Sequence, residues 1–262
     1  MAYQALTYEN AHGIARITFS RPDSLNALDP TLATELRLAL EDVRGDSSIR
    51  VLVLTGTGRG FSAGGDVSAF HAHVDSAPAF LRELLMHFHT GIATILELPF
   101  PVVAGINGVT AGAGMGYCMA ADLAVAAESA VFTMAYTGIG ATPDGSTTYF
   151  LPRMVGTRRA MEMTLLNRTL SAREALEWGL VNEVVPDDEL GDAVQALAER
   201  LRDGPTRALG NARRLIRESF NTQLATQLEN EGNSIAAMGA TGDFREGVTA
   251  FVEKRKPNFT GS

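Results

Sequence analysis

The sequence predicts an α/β protein whose last third is helical, and three observations carry that reading. Short β-branched runs at 50–55, 101–106 and 122–127 alternate with stretches of helical spacing, the pattern of strands buried under packed helices. After Gly156 the apolar residues recur almost entirely at helical intervals. Two glycine-rich segments, Phe61-Ser-Ala-Gly-Gly-Asp66 and Asn107-Gly-Val-Thr-Ala-Gly-Ala-Gly-Met-Gly116, each follow a strand-like run and lead into a helix-like one.

In chain order, residues 3–9 and 13–19 read as a hairpin turning at Asn10-Ala-His-Gly13. Asp29 is a plausible N-cap with Pro30 in the first helical turn, and Leu32, Leu36, Leu40 and Val43 follow at helical spacing. Strand 50–55, helix 76–97, strand 101–106, helix 112–120 and strand 122–127 come next. The later helices are expected at 157–166, 171–178, 187–202, 205–220 and 222–238, with one strand at 180–185 between them. Ser171-Ala-Arg-Glu174 has the form of a capping box, and Gly179 suits a helix stop. The expected division is a core over 1–200 followed by a helical region over 201–262, with no fixed-period repeat or low-complexity linker.

Composition limits the functions available. The chain has 262 residues, is 45% hydrophobic and carries a net charge of −8, which argues against a nucleic-acid or anionic-membrane surface. A single cysteine, Cys118, excludes an internal disulfide and a CxxC site, and no secretory pattern opens the chain, so a cytoplasmic location is expected. Phe100 to Ala121 is uncharged over 22 residues, long enough to resemble a membrane span. Its glycines, alanines, Asn107 and Thr110 fit a buried strand, turn and helix better.

Several chemistries lose support at the level of motifs. Gly112-x-Gly114-x-Gly116 is one place short of a dinucleotide fingerprint, Thr55-Gly-Thr-Gly-Arg-Gly60 lacks the Lys-Ser/Thr of a P-loop, and no G-x-S-x-G elbow occurs. Both lysines, Lys254 and Lys256, sit near the C-terminus, which leaves no core Schiff-base lysine. His71-x-His73 and His87-x-His89 point to different sides of a helix and have no ligand-spaced carboxylate or cysteine, so no metal is expected. Cys118 reads as a small buried hydrophobe, and Tyr136 and Trp178 as core or pocket-wall aromatics.

The two glycine turns remain. Each presents backbone N–H groups where a ligand can approach, and one donor from each could hold a single anionic oxygen, as enolate or tetrahedral chemistry requires. Asp144, in Thr142-Pro-Asp-Gly-Ser146, stands out among the carboxylates. It reads either as a turn residue capping a helix that begins near Ser146 or as a loop carboxylate beside an apolar strand end, able to move a proton or attack carbon.

These segments together resemble the crotonase (enoyl-CoA hydratase/isomerase) superfamily over nearly the whole chain. Carrying the resemblance are Arg21-Pro22 with Leu25-Asn-Ala-Leu28, Phe61 to Asp66, Ile106-Asn-Gly-Val109 with its glycine run, Leu151-Pro-Arg-Met-Val-Gly156 and Ala175-Leu-Glu-Trp-Gly-Leu-Val181, in that order. The resemblance implies a crotonase-like spiral of ββα units with a helical C-terminal trimerisation region, a homotrimer or homohexamer, and an acyl-CoA thioester as substrate. It implies no cofactor beyond the CoA of the substrate. The two oxyanion donors map to Gly65 and Ala113. Leu25, Ala27, Ala63, Asp66 and Val67 fall where the family binds CoA, and Lys256 and Phe259 where a C-terminal segment reaches a neighbour's nucleotide.

One departure from the family pattern bears on the reaction. Hydratases of the family carry two glutamates, and the matching positions here are Gly116 and Tyr136. Asp144 matches the aspartate of two other branches, the epoxyphenylacetyl-CoA isomerases and the aryl-CoA dehalogenases, and the latter also carry a histidine at the position of His89 and an aromatic residue at that of Tyr136. The resemblance therefore implies an enoyl-CoA isomerase with Asp144 as proton shuttle. Its alternatives are an aryl-CoA dehalogenase or C–C hydrolase using Asp144 and His89, and a catalytically silent acyl-CoA-binding protein.

Overall fold

The computed structural model describes residues 3–262. Strands β1 (Leu6–Ala11) and β2 (Ile14–Phe19) form the expected antiparallel hairpin. Helix α1 (Pro30–Gly45) starts at Asp29, whose carboxylate accepts the Leu32 N–H, and it buries Leu32, Leu36, Leu40 and Val43. Burying each such side chain contributes about 1.5–3 kcal/mol, more than the cap supplies. Then follow β3 (Val51–Gly56), β4 (Gly60–Ser62), α2 (Val67–Ala72) and α3 (Ala77–Glu97), then β5 (Val102–Ile106), β6 (Val109–Ala111) and α4 (Ala113–Ala120). Strands β7 (Leu123–Ala127) and β8 (Val131–Thr133) precede a short 3-10 turn at Tyr136–Ile139. The rest comprises α5 (Thr147–Val155), α6 (Thr157–Leu165), β9 (Leu170–Ser171), α7 (Ala172–Glu177), β10 (Glu183–Val185), α8 (Leu190–Arg202), α9 (Thr206–Ser219), α10 (Leu224–Met238) and α11 (Gly242–Glu253).

Two sheets organise the body. The larger has the order β1-β2-β3-β5-β7-β10, parallel from β2 onward; the smaller has the order β4-β6-β8-β9. Each strand of the large sheet from β3 to β7 is followed by a short strand of the small one, and after β4 and β6 the chain enters a helix. This is the expected repetition of ββα turns. A parallel sheet needs apolar cover on both faces. Leu52, Leu54, Val102, Ala104 and Ala126 face the main core, whereas Val51, Val53, Val103 and Val125 face Leu190, Val194 and Ala198 of α8. Helix α8 thus seals the back of the sheet, and the helical tail begins only with α9.

Most expected elements appear with small shifts, and the strand expected over 180–185 shortens to Glu183–Val185. The capping box at Ser171 and Glu174 forms, and Gly179 adopts φ +78° after α7. Residue patterns gave neither the individual strands of the small sheet nor α11. Strands of two or three residues are too short to show an alternating pattern, and the tail stretch of α11 leaves Phe244, Val248, Phe251 and Val252 exposed. The uncharged run from Phe100 to Ala121 is buried strand, turn and helix, and no helix among the described residues is long and apolar enough to cross a membrane.

Asp122, at the foot of β7, ties the tail to the body. Its carboxylate accepts from Arg213 Nε at 2.7 Å, Arg217 Nη2 at 2.8 Å and the Val102 N–H at 2.8 Å. Arg213 also donates to the carbonyls of Ile95, Leu96 and Leu98 at the end of α3. Replacing Asp122 by Ala leaves two largely buried guanidinium groups without their shared anion. Urea unfolding of Asp122→Ala should show a loss of about 3 kcal/mol, the scale for breaking one side of a buried ion pair.

Candidate active site

Parallel pairing of β4 with β6 brings the two glycine turns face to face. Gly64 has φ +92° and Gly112 φ +49°, conformations that side chains rarely adopt. A Cβ on Gly64 would lie 2.9 Å from the Ala111 carbonyl and 3.2 Å from the Gly112 Cα, so both glycines are needed for the close approach. The N–H groups of Gly65 and Ala113, one from each turn, have no hydrogen-bond acceptor among the described residues. Both residues line a cavity of about 440 Å³. Ala113 also opens α4, so the positive end of that helix dipole faces the same space. The structure thus brings the two donors named from the sequence to one cavity.

Two asparagines hold the loop between β3 and β4 that leads into the first turn, and neither was named from the sequence as a site residue. Asn26, fully buried at φ +57°, accepts the Arg21 N–H at 2.8 Å and donates to the carbonyls of Thr57 and Gly60 at 2.9 and 2.7 Å. Asn107 accepts the Gly56 N–H at 3.2 Å and donates to Gly58 and Gly60 at 3.0 Å each. An asparagine inside an otherwise apolar Leu-Asn-Ala-Leu run was the available signal, because such an amide is buried only when partnered.

Asp144 lines the same cavity. Its carboxylate does not cap α5. The N-cap of that helix is Ser146, at φ +68° and with no side-chain bond, so the capping alternative is overturned. Instead Oδ1 accepts the Tyr136 hydroxyl at 2.7 Å, and Oδ2 lies 3.5 Å from Nε2 of His89. Tyr136 directly follows a non-glycine residue in the left-handed region, Ala135 at φ +58°, and a second, Ser146 at φ +68°, lies two places after Asp144, beyond Gly145 at φ +57°. Such conformations cost on the order of 1–3 kcal/mol and persist where the surroundings impose them. Burial, and then the Asp144 charge, push the Tyr136 phenol well above its usual range, so it remains an O–H donor.

The cavity walls are apolar: Phe70, Leu81, Leu84, Leu85, Phe88 and Ile139. Phe70 packs directly on Gly65, where a Cβ would come within 2.4 Å of its ring. Of the expected CoA-contacting residues, Ala63 and Val67 line the cavity. Leu25, Ala27 and Asp66 build the turn behind it. Leu25 accepts the Ala63 N–H, Ala27 accepts from Arg21, and Asp66 caps α2 while pairing with Arg21 at 3.0 Å. Lys256 and Phe259 do not line it; the Phe259 carbonyl accepts from Arg50, and its ring lies against Gly247. Cys118 is buried, which pushes its thiol up to about 12 and leaves it unreactive, and among the described residues no cluster of three metal-binding side chains occurs. A larger cleft of about 680 Å³ beside α9 is lined by arginines, of which Arg213 and Arg217 are occupied by Asp122. It holds neither the paired N–H groups nor Asp144.

Comparison with known proteins gives the family. The sequence model of the family "Enoyl-CoA hydratase/isomerase" matches residues 9–262. The chain belongs to that family. It is 40% identical over the full length of both chains to the "Probable enoyl-CoA hydratase" of Rhodobacter capsulatus, and 39% identical to the "1,2-epoxyphenylacetyl-CoA isomerase" of Escherichia coli, covering 95% of each. The "4-chlorobenzoyl coenzyme A dehalogenase-2" of Arthrobacter sp is 36% identical over 95% of this chain and 91% of that one. A solved enoyl-CoA hydratase/isomerase from Cupriavidus metallidurans CH34 superposes with a TM-score of 0.92 at 32% identity, covering 100% of this chain and 98% of that one.

Within this enoyl-CoA hydratase/isomerase family member, packing explains the absent glutamates. A Cβ on Gly116 would meet the Gly145 carbonyl at 2.7 Å and the Phe88 ring at 3.2 Å, and a Cβ on Gly145 would meet Phe88 at 2.3 Å. The turn that carries Asp144 thus occupies the space a side chain at 116 would need. Tyr136, at the second glutamate position, is committed to Asp144. Gly116→Ala should therefore destabilise the fold by about 1–3 kcal/mol through overpacking, read as a lower thermal midpoint. The same substitution should lower turnover more than acyl-CoA binding, because it pushes the Asp144 turn.

Proposed function

We propose that this acyl-CoA enzyme is an enoyl-CoA isomerase that shifts a double bond through a thioester enolate. The observation that carries the reading is that Asp144 is the one carboxylate lining the cavity among the described residues, on the same space as the free N–H groups of Gly65 and Ala113. The thioester carbonyl oxygen sits between those two donors. Asp144 removes a proton from one carbon of the acyl chain, the charge collects on the carbonyl oxygen, and the same carboxyl returns the proton to another carbon. Each donor to the oxyanion supplies about 10²–10³ in rate and a positioned base about 10²–10⁴. Tyr136 holds Oδ1 by its hydroxyl, leaving Oδ2 for the proton. Hydration by the usual route would need two glutamates, and neither position has one.

A second reading is favoured by one contact, His89 at 3.5 Å from Asp144. There Asp144 attacks a halogen-bearing ring carbon of an aryl-CoA and expels halide, or attacks a β-diketone carbonyl carbon and breaks its C–C bond to release an enolate, and water activated by His89 then hydrolyses the aspartyl ester or anhydride, freeing the product and restoring the Asp144 carboxylate. The exposed apolar side chains of α9 to α11, among them Ile216, Phe220, Leu228, Phe251 and Val252, support assembly into a trimer or hexamer through the tail.

Asp144→Asn should lower isomerisation at least about 10³-fold while calorimetry still shows acyl-CoA binding, a loss on the scale of a removed general base. Substantial retained turnover in that variant overturns the proton-shuttle reading. Single turnovers in ¹⁸O water separate the routes, because an aspartyl ester leaves label in Asp144 and proton transfer does not. Binding without any solvent deuterium exchange at the α or γ carbon would indicate a silent acyl-CoA carrier.

A further inference from the structure

Two partners compete for one atom of His89. Its Nε2, presented by α3, accepts the Gly145 N–H at 3.3 Å and stands 3.5 Å from Oδ2 of Asp144. With a lone pair, Nε2 can serve only the amide; with a proton, it can serve only the carboxylate. The amide contact has hydrogen-bond distance and angle, whereas the carboxylate contact is at the outer limit. The Gly145 N–H has no other acceptor among the described residues. Packing holds the Gly145 turn on one side, where its carbonyl faces Gly116 and its Cα faces Phe88. On the other side the Nε2 acceptor holds it.

We infer that His89 is a positioning residue: unprotonated Nε2 anchors the Gly145 N–H and so aims the Asp144 carboxylate, and protonation of Nε2 reverses the contact, ties up Oδ2 and switches the base off. The inference rests on the proton-shuttle reading for its effect on turnover, but its structural half, the state of Nε2, stands apart from any reaction. Few other groups can interfere. Tyr136 binds the other oxygen of Asp144, and Tyr117 of α4 lies buried within the field of Asp144. Burial pushes both phenols above their usual range, so neither exchanges a proton in this balance. On α3 itself, His87 is engaged through Nδ1 by Arg37 of α1 at 3.1 Å. His89 is half-exposed, so solvent protons reach it.

The inference separates two substitutions. Gln at position 89 supplies an acceptor that does not titrate; Leu supplies none. His89→Leu should lower kcat about 10²-fold at every pH with KM within about threefold, the scale of a misplaced catalytic group. His89→Gln should recover at least a tenth of wild-type kcat and lose the acid limb that wild type shows. Long-range ¹H–¹⁵N correlation spectra of the unliganded wild type should find Nε2 without a proton at the pH where kcat is greatest, and its protonation in those spectra should coincide with the acid limb of kcat. Nε2 found protonated at the pH of greatest kcat overturns the inference without touching the role of Asp144. So does a His89→Gln variant that is folded yet as inactive as His89→Leu, which would make the imidazole itself a proton carrier. An acid limb unchanged in His89→Gln overturns it as well. Turnover retained in Asp144→Asn would instead remove the proton-shuttle reading and leave the spectra to judge the hydrogen bond alone.

Discussion

The close approach of two glycine turns is the constraint on which the rest of this structure depends. The N–H groups of Gly65 and Ala113, from different parts of the chain, stand without an acceptor on turns whose Gly64 and Gly112 pack backbone against backbone, and the proposed oxyanion site depends on that approach. Such an approach requires the small sheet, because the parallel pairing of β4 with β6 sets the turns side by side. The strands of the small sheet in turn alternate along the chain with those of the large one, whose two faces are closed by the main core and by α8. Asn26 and Asn107 add the polar side of the same requirement. Both bring amide donors to the Gly60 carbonyl, and between them they satisfy turn groups that burial would otherwise strand.

The opposite wall of the cavity is decided by volume. Gly116, Gly145 and Phe88 fill one space so closely that a Cβ on either glycine would collide with backbone or ring. A carboxylate rising from position 116 and a carboxylate carried on the 144–145 turn are therefore mutually exclusive in this packing. With the first excluded, Asp144 and Tyr136 form one unit, joined at 2.7 Å and flanked by backbone in the left-handed region. That unit distinguishes this chain from a two-glutamate hydratase more firmly than the overall identity does. Relatives bearing hydratase, isomerase and dehalogenase names all match it at 36–40%.

The helical tail obeys a different logic. Its attachment is ionic and buried, through Asp122, Arg213 and Arg217, while much of its apolar surface faces outward. A charge network can orient a helix pair against the body without consuming the apolar face of the helices. That leaves Phe251, Val252 and Ile235 available for contacts beyond this chain.

Sequence alone determined the strands of the large sheet, the main helices with their caps at Asp29 and Ser171, and the two glycine turns as places where backbone N–H groups stand free. These are legible because periodicity, capping and glycine act over a few residues. The small sheet, α11, the two supporting asparagines and the fate of Asp144 were not legible. As a local pattern, Pro-Asp-Gly-Ser offered a helix cap or a reactive carboxylate. Tertiary structure removed the cap and set other partners beside the carboxylate, because His89 and Tyr136, distant or only loosely spaced in the chain, arrive on either side of Asp144 when α3 and the 3-10 turn pack against the start of α5. Which groups meet across a cavity depends on packed volumes and long-range contacts, and no short stretch of sequence carries that information.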